Sequence, residues 1–214
     1  MVGPDSIRVW HWYDFACPYC YVAQDRLTIL RDRGLHPDIL PHPVPTGARR
    51  AGRFDLRRGG STHRFIERAA REAGLALEWP TRVPNTRRGL AAAEWVRQYQ
   101  PDLFDSFYRR LFAAHFALGQ DVGDPCLIED IAEQIGVDVV SVRGALSDGT
   151  AERAVAGSVS LAKQFGVTGL PAWLIGQRIV TGLPRRVEFY DVVSRLRSRS
   201  SLYGSITRRR APRR

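Results

Sequence analysis

The chain has 214 residues, 44% of them apolar, enough for one domain with a substantial core. No charged-then-apolar leader precedes the first strand and no apolar run reaches the length of a membrane span, so a soluble, cytoplasmic protein is expected. The net charge of +10 invites a nucleic-acid reading, but eight arginines and no acidic residue fall in residues 195–214, and without them the balance is +2.

The charge excess therefore belongs to a tail and not to a groove. A solvated, disordered terminus is the expectation for residues 198–214, whose Ser, Gly and Pro content opposes folding; nucleic acid and membrane are not expected partners. Three cysteines build no disulfide framework, and in a reducing compartment a paired C-x-x-C points to catalysis or redox sensing.

In chain order, the run Ile7-Arg8-Val9-Trp10-His11-Trp12-Tyr13 is β-branched and aromatic, as strands are. Cys17-Pro18-Tyr19-Cys20 follows, and Val22, Ala23, Leu27 and Leu30 then form a helical stripe. Pro18 fits the first turn of that helix, where its missing N–H costs nothing. Cys17 falls at the cap, facing free backbone N–H groups and the positive end of the helix dipole. Thiols so placed within C-x-x-C have pKa values lowered from about 8.5 to roughly 3.5–7.5. Cys17 is the candidate nucleophile and Cys20, one turn inside the helix, the candidate resolving thiol. A zinc site needs about four ligands. There is no second C-x-x-C and no paired spacing among His11, His36, His42, His63 and His115, so no metal is expected.

Gly34 should stop the helix, and a second strand is expected over 38–43, made irregular or edge-like by Pro37, Pro41 and Pro43. Residues 46–60 are rich in Gly and Arg and read as a solvated loop. Mostly helical sequence follows to about Phe165. Ser61 or Thr62 caps a helix reaching Glu72, and Asn85 or Thr86 caps one reaching Tyr99. Pro101-Asp102 opens a third with a wide apolar stripe from Leu103 to Phe112, and Asp124-Pro125 opens a fourth that stops at Gly136. Shorter helices are expected over 138–146 and 150–165. Ala172-Trp173-Leu174-Ile175, a turn at Gly176-Gln177, and Arg178-Ile179-Val180-Thr181 read as a hairpin, and 185–196 as a terminal helix.

The order β–α–β, about 100 helical residues, then β–β–α resembles the DsbA-like branch of the thioredoxin fold. Within it the chain is most similar to the cytoplasmic FrnE-like proteins, whose relatives include 2-hydroxychromene-2-carboxylate isomerases and kappa-class glutathione transferases. Asp14-Phe15-Ala16-Cys17-Pro18-Tyr19-Cys20-Tyr21, Pro84-Asn85-Thr86 and Phe165-Gly166-Val167-Thr168-Gly169-Leu170-Pro171 carry the resemblance. It implies an α/β thioredoxin fold with a large all-helical insertion. The halves would be 1–45 (βαβ) and 166–197 (ββα), around 46–165, with 198–214 as the tail.

By the same resemblance, Cys17 is the nucleophile, Cys20 resolves, and Pro171 is the cis-proline lying against them. Pro18, Tyr19, Leu170 and Pro171 would bind substrate, residue 170 offering backbone groups to an extended polypeptide or to glutathione. The implied activity is thiol–disulfide exchange on protein or low-molecular-weight thiols, with no tightly bound cofactor and glutathione or another small thiol as co-substrate. The alternative is a thiol-dependent isomerase or transferase acting on an aromatic or polyketide-like molecule. Oxidising periplasmic members carry His where Tyr19 stands, so a couple less oxidising than about −120 mV is expected. Cys126 reads as a bystander open to glutathionylation, His115 as a helix-face histidine with no catalytic role in preference to one approaching the cleft, and Asp14 as either a thiol-tuning or a water-exposed carboxylate.

Overall fold

The computed structural model describes residues 8–35, 37–46 and 60–195. His36, most of the Arg-rich 46–60 stretch and the basic tail lie outside the described residues.

The sheet is built on β1 (Arg8–Tyr13), which is central in the order β2-β1-β3-β4. Helix α1 (Pro18–Asp32) carries the chain over to β2 (Asp38–Pro43), which pairs parallel to β1 from Arg8↔Asp38 to Tyr13↔Pro43. β2 is an edge strand, and this is why Pro41 and Pro43 are tolerated in it: a proline offers no N–H to a second neighbour. The other side of β1 is taken by β3 (Ala172–Ile175), antiparallel in the register Trp12↔Ala172, and β4 (Arg178–Thr181) closes the hairpin.

Between β2 and β3 the described residues form six helices: α2 (Ser61–Glu72), α3 (Arg87–Tyr99), α4 (Pro101–Phe116), α5 (Pro125–Gln134), α6 (Val139–Ser147) and α7 (Thr150–Gln164). A last helix, α8, covers 186–195. The N-cap of α2 is Gly60 and not Ser61 or Thr62: Gly60 has the extended backbone, and no side chain caps the first turn. Asp124 and Asp138 do cap, accepting from the backbone N–H of Cys126 and Ser141 at 2.9 and 3.0 Å.

Strand alternation sorts β1 between two layers. Trp12 and Ala172 pack with Ala162 of α7, and Trp10 and Val167 border them. On the opposite face Val9, Trp173 and Ile175 meet Ala23 and Leu30 of α1 and Phe189 and Val193 of α8. The largest core joins Tyr13, Phe15, Cys20, Tyr21 and Val22 to Leu90 and Val96 of α3 and to Phe107, Tyr108, Leu111 and Phe112 of α4. The helical insertion is therefore packed against the back of the C-x-x-C helix, and Cys20 is part of the core.

Candidate active site

Cys17 is the N-cap of α1, with extended backbone (φ −95°, ψ 110°), and Pro18 is the first helical residue, as the motif's spacing predicts. The turn leading to it is held by the Cys17 N–H, which donates to the Asp14 carbonyl at 3.0 Å, and by the Ala16 N–H on Asp14 Oδ1 at 3.1 Å. Asp14 is fully buried, which corrects the water-exposed reading. Its Oδ2 accepts from both the backbone N–H (2.6 Å) and the hydroxyl (2.5 Å) of Thr46, so the carboxylate ties the strand end to the segment after β2. Three donors compensate its loss of water.

The two cysteines are unequal. Both are free thiols, Cys17 partly exposed and Cys20 buried. Burial pushes the Cys20 thiol well above its ordinary range, and the hydrogen bond it shares with Cys17 adds to the shift. Cys17 Sγ also lies 3.7 Å from the Leu170 carbonyl oxygen, to which its S–H donates. The Leu170–Pro171 peptide is cis, and Pro171 is buried at the start of the hairpin. Five of the six sequence-designated residues thus stand in a continuous patch: Cys17, Pro18, Tyr19 and Cys20 on one turn, and Leu170 against Cys17 from across 153 residues. The sixth, Pro171, follows Leu170.

Tyr19 is partly buried, and its ring lies 6.1 Å from that of Phe65 on α2, itself 37% exposed with the Arg68 guanidinium 5.9 Å above its ring. Phe65 was not singled out from the sequence. The signal available was a lone aromatic on a polar helix face, which a surface helix carries without functional meaning.

His11 was noted only for its failure to fit a zinc spacing, and Tyr108 not at all. His11 is buried, stacked on Trp173 with ring centroids 4.9 Å apart. Its Nδ1 faces the Ala172 carbonyl at 3.4 Å and its Nε2 the Tyr108 hydroxyl at 3.3 Å. Burial lowers its pKa to about 4.

His115 is buried beside Phe116 with Nδ1 donating to the Gln120 carbonyl at 3.1 Å, and burial lowers its pKa. Cys126 is exposed at the start of α5. No group of three His, Cys, Asp or Glu among the described residues stands together to hold a metal, and no helix among them is long and apolar enough to cross a membrane.

Residues 8–193 match the family model of the DSBA-like thioredoxin domain, which spans the strand, the C-x-x-C helix, the helical insertion and the final hairpin and helix. The chain belongs to the DsbA-like thioredoxin domain family. Its DsbA-like fold is shared with a 2-hydroxychromene-2-carboxylate isomerase (TM-score 0.73, 22% identity, 92% of this chain and 99% of that one). It is shared equally with a probable DsbA oxidoreductase from Streptomyces coelicolor (TM-score 0.72, 21% identity, 97% and 93%). The cytosolic disulfide reductase DsbM from Pseudomonas aeruginosa, solved with GSH, is a more distant DsbA-like neighbour (TM-score 0.62, 16% identity, 94% and 100%). Among curated sequences the chain is 20% identical over 181 residues to the Bacillus subtilis (strain 168) protein YwbO, covering 82% of this chain and 90% of that protein.

Proposed function

We propose that the chain is a thiol–disulfide oxidoreductase in which Cys17 exchanges with a disulfide or thiol of the substrate and Cys20 resolves the mixed disulfide. The observation that carries this reading is the asymmetry of the pair: an accessible sulfur at a helix N-terminus, with a buried thiol one turn behind it and hydrogen-bonded to it. In the forward direction the Cys17 thiolate attacks a substrate disulfide, one substrate thiolate leaves, and Cys20 then displaces the second while the Cys17–Cys20 bond forms. The Leu170 carbonyl beside Cys17 Sγ supports backbone docking of an extended substrate along the 170–171 segment.

Glutathione or another small thiol is the proposed recycling partner, supported by the GSH-bound DsbM neighbour, and a reducing, cytoplasmic setting goes with it. Thiol trapping with mass spectrometry across a graded glutathione buffer tests the core of the reading: a Cys17–Cys20 disulfide should form and break reversibly. Cys17→Ser should abolish turnover, and Cys20→Ser should accumulate a mixed disulfide on Cys17. Full exchange activity in Cys17→Ser would sink the proposal.

The second reading is a thiol-dependent isomerase or transferase for an aromatic small molecule. The partly exposed Tyr19–Phe65 pair beside Cys17 favours it, as does the isomerase among the structural neighbours. That chemistry does not need Cys20, so activity retained in Cys20→Ser would move it ahead.

A further inference from the structure

Cys17 stands at the start of α1 with no side chain capping the first turn, and Pro18 removes one of the N–H groups there. What faces its sulfur decides how readily it carries a charge. The Leu170 carbonyl oxygen, 3.7 Å away, accepts from the S–H and so favours the thiol over the thiolate. The Cys20 thiol is hydrogen-bonded to Cys17 from inside the helix. Behind the turn lies Asp14.

The Cys17 N–H donates to the Asp14 carbonyl at 3.0 Å, closing a four-residue turn whose end Cα atoms are less than about 7 Å apart. The Asp14 side chain is fully buried, and among the described residues every group bonded to it is a donor. The Ala16 N–H meets Oδ1, and the Thr46 N–H and hydroxyl meet Oδ2. A set made only of donors suits an ionised carboxylate, which can only accept. These donors are backbone amides and a hydroxyl, so they hold the negative charge in place without neutralising it.

The other ionisable groups around the turn keep one state near neutrality. Burial holds His11 of β1 near 4 and lowers His115 of α4, which donates to the Gln120 carbonyl. Burial raises Tyr13, Tyr108 of α4 and Cys20 itself well above their ordinary ranges. Glu94 of α3 is paired with Arg97, and Arg68 of α2 stands over the Phe65 ring beside Tyr19.

We infer that Asp14 is a positioning residue for thiol–disulfide exchange: its fixed negative charge behind the C-x-x-C turn disfavours the Cys17 thiolate and sets the pair toward donating electrons. This rests on the dithiol reading above and gives it a direction. Like charges at such a spacing shift a proton equilibrium by about tenfold. A reduced form that is less stabilised makes the stronger reductant, and its thiolate, once formed, is the better nucleophile. In the favoured exchange Cys17 attacks a disulfide such as oxidised glutathione, and one glutathione leaves as a thiolate. Cys20 then bonds to Cys17 and the second glutathione leaves. Two electrons pass to the glutathione sulfurs, and the two protons of the cysteines end on the departing thiolates.

The test uses the full chain carrying Cys126→Ser, so that the exposed third thiol does not report. Alkylation of Cys17 by iodoacetamide is followed by mass spectrometry from about pH 5 to 9, the span in which protein thiols ionise. Asp14→Asn removes the charge and keeps one acceptor oxygen. Its profile should move to lower pH, with alkylation about 5–10-fold faster on the rising limb. In a glutathione buffer its reduced form should gain up to about tenfold, which is about 30 mV toward oxidising. Thr46→Val takes away one donor and leaves the charge, so its profile should stay or move to higher pH. A profile in Asp14→Asn that is unchanged or moves to higher pH overturns the inference. An equal downward move in Thr46→Val also overturns it, by tracing the effect to the lost tether. Asp14→Ser, which keeps a hydrogen bond to the Ala16 N–H, replaces Asp14→Asn if that variant does not fold. If the Cys126→Ser parent forms no Cys17–Cys20 disulfide in the same buffer, the dithiol reading fails, while the alkylation profiles still decide the role of Asp14.

Discussion

Two histidines show what burial does to a single residue. His11 and His42 both titrate at about 4 in the folded chain against 6.5 for an ordinary histidine, with desolvation as the largest cause in each. The unfolded chain therefore binds protons between those values while the folded chain does not, and stability rises with pH across that window. It is fully present above about 6.5 and lost progressively as pH falls toward 4. For His11 the shift corresponds to about 3 kcal/mol by the usual conversion of 1.36 kcal/mol per unit. Urea unfolding at about pH 7.5 and 4.5 should show a marked fall in midpoint. His42→Gln, which keeps a bond to Ser158 and does not titrate, should shrink that fall; an equal fall in the variant would show that His42 contributes nothing to it.

At the scale of elements, close approach of backbones sets the geometry around the site. Gly89, in the first turn of α3, sits where a Cβ would lie 2.9 Å from the Val122 carbonyl oxygen and 3.7 Å from the Phe15 ring. The obstacle at 2.9 Å is backbone and has no rotamer to change. Gly89→Ala should therefore push α3 from the 122–123 loop, while the Phe15 ring behind the C-x-x-C turn would only be met in ordinary contact. Overpacking of this kind costs about 1–3 kcal/mol, or roughly 2–4 °C in Tm per kcal/mol for a chain of this size; a calorimetric Tm equal to the parent's would show that the loop yields freely.

The elements themselves were legible in the sequence because each carries a local signature. Pro18 and Pro101 at first turns, Asp124 before Pro125, and the β-branched, aromatic strand before Cys17 are all decided within a few residues. The placement of the C-x-x-C pair at the start of α1 was legible for the same reason. What the sequence did not reveal depends on contacts between distant segments. The bond from Asp14 to Thr46 spans 32 residues and that from His11 to Tyr108 spans 97, and no periodicity links either pair. Gly60 displaced Ser61 as the α2 cap because the extended backbone falls one residue earlier than the polar side chains suggest.

Across the whole molecule, one ion-pair cluster fastens the two ends of the fold. Asp25 of α1 accepts from Arg26 at 2.7 Å and from Arg186 of α8 at 2.8 and 3.0 Å, and its side chain is 9% exposed. Arg26, equally buried, also donates to the Pro184 carbonyl at 2.8 Å, and Arg186 reaches the Glu72 carbonyl at the end of α2. Asp25→Ala strands two guanidinium groups, one of them buried, and should destabilise the chain by about 3–5 kcal/mol. Arg8→Ala, which removes the exposed pair with Asp38, should cost no more than about 1 kcal/mol. Chemical denaturation of both variants measures the contrast, and similar losses would contradict the clamp.

The central position of β1 has a consequence for synthesis. One of its edges is covered within about 30 residues by β2, but the other waits for β3, about 160 residues later (Trp12 against Ala172). At about 5–20 residues per second, a ribosome holds that edge open for roughly 8–30 s. Through that interval the growing chain presents an unpaired, tryptophan-bearing strand with a free thiol four residues beyond its end. Such an edge is a template for pairing with other chains, so production of this protein should depend on holdase chaperones more steeply than its finished stability would suggest.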